Sequence, residues 1–122
     1  RCGAGAVALL LGDFNWDWRD GDAAAVVGPR WVDAWAAAGS ASSTEHTYDG
    51  RANRMLRHSF QNRYDRVLVL DRSTGGARPT AFALRGTAPL PGLTITHEKK
   101  GILPVYPSDH FGAVATIEAG AA

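Results

Sequence analysis

A six-residue apolar run, Ala6–Leu11, is followed directly by the polar block Gly12-Asp13-Phe14-Asn15. No polar residue interrupts AVALLL, which is the pattern of a strand covered on both faces, and Gly12 is predicted to end it. Near the other end of the chain, Ser108-Asp109-His110 leads into a second apolar segment, Phe111–Ile117. If these two strands are neighbours in one sheet, their polar ends converge on a single site.

The remaining predicted elements are short strands and one short helix. Tyr64–Leu70 and Thr80–Thr87 have the β-branched and apolar composition of strands. Trp31–Ala38 is Ala-rich and lies between a proline and a glycine, which predicts a helix. Residues 89–107 contain four prolines and are predicted to be irregular. Few helices and several strands favour an α+β or layered sandwich architecture.

Charge is distributed unevenly along the 122 residues, although the net charge is only +1. Five Asp and two Arg lie between Gly12 and Asp33, whereas five Arg and one Asp lie between Arg51 and Arg66. An acidic segment attracts metal ions and a basic segment attracts phosphates, as a nucleic-acid phosphodiesterase requires. An ordinary solvated surface with uneven charge explains the same pattern equally well.

Cys2 is the single cysteine, which excludes a disulfide framework and a thiolate metal site and favours a reducing compartment. No apolar run is long enough to span a membrane, so no membrane partner is expected. The chain begins Arg1-Cys2-Gly3 without an initiator Met and continues straight into strand-like sequence. We therefore expect one domain or a piece of one, with an upstream part of the same domain preceding it.

The first candidate site is the pair Asp13 and Asn15. On an extended chain, residues two apart place their side chains on the same face. There a carboxylate could hold Mg²⁺ or take a proton from water, and an amide could donate to a phosphoryl oxygen. The alternative is that Gly-Asp-x-Asn is only a turn, since all these residue types favour turns.

The second candidate site is Asp109-His110, a carboxylate ligand beside an imidazole that could contact a scissile phosphate. Adjacent residues on a regular strand point to opposite faces, so both serve one site only where the backbone is irregular, as Pro107 suggests. Asp65 could accept a hydrogen bond from one imidazole nitrogen and fix the tautomer. The alternatives are a surface histidine and an Asp65 paired with a neighbouring arginine.

Taken in chain order, these blocks resemble the second half of the endonuclease/exonuclease/phosphatase superfamily. Within it, the chain is most similar to the tyrosyl-DNA phosphodiesterase 2 family, especially its plant and algal forms, over nearly its whole length. The resemblance implies an α+β fold that is half of a four-layer, DNase I-like α/β sandwich, with a mostly antiparallel sheet and short helices. Residues 1–122 would be the C-terminal half of that domain. The motifs are Gly12-Asp13-Phe14-Asn15, Thr47-Tyr48-Asp49, Arg63-Tyr64-Asp65-Arg66-Val67 and Ser108-Asp109-His110.

The resemblance also assigns roles to individual residues. Asp13 would polarise the attacking water, Asn15 would bind the phosphate, and His110 would stabilise the transition state while oriented by Asp65. Mg²⁺, with Mn²⁺ as an alternative, would be held by Asp109 and Asp13. The implied substrate-binding residues are an apolar wall for the DNA end (Tyr48, Leu56 and Tyr64), basic contacts to backbone phosphates (Arg51 and Arg54), and Ser108.

The activity implied is metal-dependent phosphodiester hydrolysis at DNA 5′ ends that carry a tyrosyl adduct, a DNA-repair reaction in the nucleus. A tyrosine phenolate, with a pKa near ~10, needs little acid assistance to leave. Alternative activities are an abasic endonuclease, an RNA deadenylase or a phosphoinositide phosphatase. An alternative of another class is a non-catalytic remnant that binds nucleic acid or a partner.

The chain departs from the family pattern in two ways. The segments that bring the family's metal-binding Glu and a further phosphate-binding Asn belong to the N-terminal half, which this chain does not include. We therefore expect the isolated chain to be inactive and unstable, with one apolar sheet face exposed. The family's arginine after the Asp-x-Asn motif has Arg19 as its nearest candidate, although Asp17 occupies the closest spacing.

Overall fold

The computed structural model describes residues 6–16, 28–71 and 76–119. Antiparallel strand pairs dominate these ranges and the helices are short, which confirms the predicted α+β class. The elements are β1 (Val7–Asp13), β2 (Trp31–Asp33), α1 (Ala34–Ala37), a 3-10 helix (Ser42–Thr44), β3 (Tyr48–Asp49), β4 (Gln61–Asn62), β5 (Asp65–Asp71), β6 (Ala77–Arg85), β7 (Thr94–His97), β8 (Gly101–Pro104) and β9 (Gly112–Ala119).

Strand β5 is the centre of the structure. It lies between β1 and β2 in a three-stranded antiparallel sheet. The helix α1 and the β6–β9 pair pack against it. Val67, Leu68 and Val69 are buried as a result, and Leu68 has no solvent exposure. A continuous apolar run is what a strand enclosed on both edges and both faces requires.

The expectation that Ala6–Leu11 is covered on both faces is wrong for the chain as described. Leu9 is 49% exposed and Leu11 is 61% exposed. In the antiparallel register both lie on the face that carries Val69, and Val32 of β2, 45% exposed, lies on that face too. Leu9, Leu11 and Val32 are thus exposed on the two strands that flank the buried Val69, and we call these three residues the apolar strip. Nor does Gly12 end the strand, since β1 continues to Asp13.

The first and last strands are not neighbours, contrary to the simplest prediction. Strand β1 pairs with β5, whereas β9 pairs with β6 over nearly its full length. The polar ends still converge, because the segment before β9 returns to the start of β5. A bridge between Tyr48 and His110 and a 2.6 Å hydrogen bond from the Phe111 amide to the Thr47 carbonyl hold it there.

Two local predictions are also corrected. The segment predicted as a helix over Trp31–Ala38 begins as strand β2, because Trp31, Val32 and Asp33 pair with β5. Only Ala34–Ala37 is helical, capped by the Asp33 carboxylate, which accepts from the Trp35 amide at 3.0 Å.

The segment predicted as irregular, 89–107, contains the β7–β8 hairpin. Its prolines fall outside the strands except Pro104, at the end of β8. Across the described ranges, no helix has both the length and the apolar character that crossing a bilayer requires.

Candidate active site

Two carboxylates face each other where β1 ends and β5 begins. Asp13 and Asp65 are direct partners in the antiparallel register. Like charges placed opposite each other in a sheet are destabilising unless a cationic group relieves them. His110 lies beside the pair, and one ligand atom from each of Asp13, Asp65 and His110 lies within 4.8 Å of the others. The site is therefore built around a carboxylate pair that requires a cationic partner.

His110 is held by Asp65, as predicted. Its Nδ1 lies 2.7 Å from the Asp65 Oδ2, and both side chains are partly exposed. With Nδ1 donating to the carboxylate, the ring has Nε2 left for another contact. Thr47 is fully buried and ties the two segments together, because its hydroxyl accepts from the Asp65 amide at 3.0 Å and its carbonyl accepts from the Phe111 amide.

Among the described contacts, the Asp65 carboxylate pairs with His110, whereas the neighbouring arginines pair with another acid. Arg63 and Arg66 both donate to Asp33, which is buried beside them. The Arg63 guanidinium also lies over the Trp35 ring, 4.4 Å from its centroid. Two of the five arginines in the basic segment are therefore structural, and the predicted attraction for phosphates falls to the exposed Arg51, Arg54 and Arg57.

Asp13 and Asn15 lie in a turn, so the expected extended geometry is wrong. Asn15 has a positive φ of 52°, and its amide donates to the Asp13 Oδ1 at 2.9 Å. The Asn15 side-chain amide donates to the Asp13 Oδ2 at 3.3 Å. This local bonding is typical of Asx turns. It still places both side chains together at the end of β1, where Asn15 lines the same cavity as His110.

The backbone is irregular around Asp109 and His110, as their shared site requires. The Ser108 hydroxyl donates to the Asp109 Oδ1 at 3.2 Å and accepts from the His110 amide at 3.1 Å. From beneath, the buried Asn53 carboxamide donates to the Ser108 carbonyl at 2.9 Å and to the Asp109 carbonyl at 3.4 Å. The Ser108 side chain therefore bonds within the loop that carries Asp109 and His110, and the Asn53 side chain holds that loop in place.

A cavity of about 440 Å³ opens beside these residues. Tyr48 and Tyr64 stand in its wall, with ring centroids 5.6 Å apart, and each ring also contacts the His110 ring. His58 and Phe60 were not predicted. The alternation of basic and aromatic residues in Arg57-His58-Ser59-Phe60 was the signal that could have revealed them. The cavity is lined by Asn15, Tyr48, His58, Phe60, Tyr64, Asp109 and His110.

Leu56 is not part of that wall. It lines a second cavity of about 530 Å³ together with Arg54 and Lys100, and His58 lines both cavities. Lys100, which sequence reasoning did not single out, also donates to the Arg57 carbonyl at 2.8 Å. The residues predicted as one wall therefore occupy two adjoining spaces, the first aromatic and the second partly cationic.

Two ionisable groups near the site have shifted pKa values. Burial raises the pKa of the Tyr48 hydroxyl, and the negative charge of Asp109 and the Tyr64 hydroxyl raise it further. Tyr48 is therefore a protonated hydrogen-bond donor at neutral pH. Burial alone would raise the pKa of Asp49, but hydrogen bonds from the Ala52 amide, the Gln61 side chain and the Arg51 amide hold it below its usual range.

The donor set suits a hard divalent cation. Carboxylate oxygens are the ligands that Mg²⁺ prefers. Among the described residues, the side chains close enough to share one ion are Asp13, Asp65 and His110. The predicted ligand Asp109 is exposed and lines the cavity, but it is not part of that group. Asp65 is the nearer carboxylate to Asp13, but one of its oxygens is engaged by His110. The backbone amide of Arg51 donates to Asp49, and its side chain is exposed and is not among the residues that line the two cavities. Arg19 lies outside the described residues.

Comparison with known proteins points to one group of solved structures. No family model and no curated protein matches the sequence. A truncated TDP2 from Caenorhabditis elegans matches with a TM-score of 0.71 and 26% identity over 96% of this chain and 40% of that one. TDP2 from D. rerio complexed with single strand DNA product matches with a TM-score of 0.69 and 26% identity over 93% of this chain and 42% of that one.

These matches confirm the predicted resemblance to TDP2, a tyrosyl-DNA phosphodiesterase. A selenomethionine form of the C. elegans protein agrees, with a TM-score of 0.73. The chain spans less than half the length of these structures. It therefore has the fold of part of a DNA-repair phosphodiesterase, consistent with half of a DNase I-like sandwich.

Proposed function

We propose that this chain is the C-terminal half of a Mg²⁺-dependent 5′-tyrosyl-DNA phosphodiesterase that acts in DNA repair in the nucleus. The observation that carries the proposal is the Asp65–His110 pair, 2.7 Å apart, set against Asp13 at the end of the sheet. An oriented imidazole beside a carboxylate and an amide is what attack of water on a phosphodiester needs. TDP2, whose fold the chain shares, supports the choice of substrate.

In the proposed reaction, a water oxygen forms a bond to phosphorus and the bond from phosphorus to the tyrosine oxygen breaks. Asp13 polarises the water and accepts its proton. The protonated His110 ring donates through Nδ1 to Asp65 and through Nε2 to a phosphoryl oxygen, while Asn15 donates to another. The electron pair of the broken bond leaves with tyrosine as a phenolate, whose pKa near ~10 makes it a good leaving group.

A metal ion would contribute electrostatically. Held by the Asp13 and Asp109 carboxylates, Mg²⁺ or Mn²⁺ would supply Lewis-acid stabilisation of charge on the phosphoryl group. The cross-strand placement of Asp13 against Asp65 gives this region the negative charge that attracts such a cation.

The apolar strip supports the proposal that another half of the same domain is required. Leu9, Leu11 and Val32 lie on the face of the sheet that ends in the Asp13–Asp65 pair. A segment that covers this face would therefore meet the edge of the site. Matched TDP2 chains are more than twice as long as the part this chain spans. We propose that the N-terminal half covers the strip and adds the remaining metal ligand.

The test compares the isolated chain with the full-length protein on a 5′-phosphotyrosyl oligonucleotide, with Mg²⁺ and with EDTA. We expect hydrolysis by the full-length protein in Mg²⁺ only, and none by the isolated chain. Preference for abasic DNA, a 3′-adenylated RNA or a phosphoinositide would overturn the choice of substrate. DNA binding without any hydrolysis would favour the non-catalytic alternative.

The role of His110 is tested separately. His110→Ala in the full-length protein should nearly abolish turnover and leave DNA binding largely intact, because the ring acts mainly on the transition state. His97→Ala, which removes an imidazole from the β7–β8 hairpin, is the matched control and should keep wild-type turnover. Wild-type turnover in His110→Ala would refute the mechanism.

A further inference from the structure

Tyr48 and His58 form a hydrogen-bonded pair in the cavity wall that the proposed reaction does not use. The Tyr48 hydroxyl lies 2.9 Å from the His58 Nε2, and the two ring centroids are 5.5 Å apart. The Tyr48 and His110 ring centroids are 5.0 Å apart, so the Tyr48 side chain contacts both His110 and His58. His58 lines both the active-site cavity and the neighbouring cavity that contains Arg54 and Lys100.

The hydrogen-bond directions in this pair follow from the backbone. The Phe60 amide donates to the His58 Nδ1 at 3.2 Å, so Nδ1 is an acceptor. A neutral imidazole with an accepting Nδ1 carries its hydrogen on Nε2. His58 therefore donates to the Tyr48 oxygen. The hydroxyl hydrogen of Tyr48 is then directed away from His58, and Tyr48 has a donor left for a third group.

The position of His58 is set by close backbone packing. The Gly50 amide donates to the Phe60 carbonyl at 2.8 Å. A Cβ at Gly50 would overlap the carbonyl of His58 and press on its Nδ1. Only glycine allows the 58–60 segment to approach β3 this closely. The imidazole is thus held in place by its own backbone and by Phe60.

We propose that Tyr48 and His58 are a positioning pair that donates one hydrogen bond, from the Tyr48 hydroxyl, to an oxygen of the internucleotide phosphate next to the scissile one. The inference rests on the proposed function, since it places the bound strand in the cavity beside His110. It changes the role of Tyr48 from an apolar wall to a polar anchor.

The surroundings favour an anionic oxygen as the acceptor. The hydroxyl of Tyr48 is a neutral donor, and because His58 donates to its oxygen, its own hydrogen is available to an acceptor in the cavity. His58 lines both cavities, so a bound DNA strand that passes His58 on leaving the active-site cavity enters the neighbouring cavity. Arg54 and Lys100 provide positive charge there. Phosphate contacts from neutral and cationic donors of this kind fix the register of a bound strand.

The experiment combines Tyr48→Phe with a substrate in which a neutral methylphosphonate replaces the internucleotide phosphate next to the scissile one. A hydrogen bond to a charged group accounts for about tenfold in affinity. In the full-length protein we expect the methylphosphonate to raise KM about tenfold for wild type and by less than twofold for Tyr48→Phe, with the effect on KM and not on kcat. Equal sensitivity of the two proteins would overturn the proposal.

His58 is tested by a pair of substitutions. His58→Gln keeps an N–H donor near the position of Nε2, whereas His58→Leu removes it. We expect His58→Gln to bind like wild type and His58→Leu to lose about as much affinity as Tyr48→Phe, with no further loss when the two are combined. Equal binding by His58→Gln and His58→Leu would show that the imidazole does not orient the tyrosine.

Affinity for the 5′-phosphorylated oligonucleotide product, measured by fluorescence anisotropy, provides a readout that does not depend on turnover. If the wild-type protein binds this product but hydrolyses no tyrosyl substrate, the proposed function fails. The positioning pair is then tested by the product affinities of the Tyr48 and His58 variants. If wild type hydrolyses the substrate and the methylphosphonate has no effect on it, the positioning pair fails while the function stands.

Discussion

Asn53 is a single buried side chain on which the active-site loop depends. It has no solvent exposure, and its carboxamide nitrogen donates to the carbonyls of Ser108 and Asp109, more than fifty residues away in the chain. Its Oδ1 accepts from the Met55 amide at 3.2 Å. Asn53→Ala removes the local bond and the long-range bonds together.

The expected cost follows from counting these groups. Losing the local bond costs about 1 kcal/mol, and leaving the part-buried carbonyl of Ser108 without the Asn53 amide costs about 1–3 kcal/mol more. We expect Asn53→Ala to lower the free energy of unfolding by about 2–4 kcal/mol. The loop that carries Asp109 and His110 also loses its support, so kcat/KM should fall along with stability.

Asn62→Ala is the matched control. Asn62 is also buried, and its Oδ1 accepts one local amide, that of Arg63, at 2.8 Å. Among the described residues its Nδ2 has no hydrogen-bond partner. The difference between the two variants therefore isolates the bonds to the Ser108 loop.

Urea denaturation of the full-length protein measures both variants, with the slope of each transition as a check that the unfolded states are comparable. Asn53→Ala should be less stable than Asn62→Ala by about 1–3 kcal/mol. Equal stabilities would show that the Asn53 carboxamide does not hold the loop, and the reasoning would then fail.

Three further predictions concern the frame around the site. Asp33→Asn removes the negative charge of the buried carboxylate to which the Arg63 and Arg66 guanidinium groups donate, so the free energy of unfolding should fall by about 3 kcal/mol, and a urea midpoint equal to wild type would contradict this. The pKa of Asp49 is lower in the folded state than in the unfolded state. Its ionised form therefore stabilises the fold at pH values above the unfolded pKa of about 3.9. This stabilisation is lost as the pH falls through the folded pKa. Acid titration of Asp49→Asn should therefore show a shallower loss of stability in that range, and an unchanged slope would argue against the hydrogen bonds described. Gly50→Ala forces the backbone at His58 to move and should cost about 1–3 kcal/mol, whereas Gly112→Ala, which makes only ordinary contacts, should change the urea midpoint little. Equal midpoints for these two glycine variants would show that close packing at Gly50 is not required.

Much of the chemistry of the site was predictable because it depends on short stretches of chain. Asp13 and Asn15 follow an apolar strand within a few residues, and Asp65 opens another, so their position at strand ends follows from local pattern. The pairing of Asp65 with His110 was also expected, and the structure confirms it at 2.7 Å.

Other features depended on pairings that no local pattern contains. Trp31–Asp33 is a strand because β5 offers it an edge, and tertiary pairing outweighs the helical composition of that segment. The segment 89–107 was expected to be irregular because of its prolines, yet most of them lie outside the hairpin strands. His58 was missed because its importance comes from its contact with Tyr48, ten residues earlier.

The sequence by itself determined which chemical groups stand at the ends of the strands, because each polar block is joined covalently to the apolar run beside it. Only the tertiary structure decided which of these groups meet. The register of β1 against β5 sets Asp13 opposite Asp65, and Asn53 brings the Ser108 loop to them. Such contacts join residues about fifty positions apart, and their geometry is set by packing around β5. Packing also decided that Leu9 and Leu11, apolar enough for a core, form a surface in this chain.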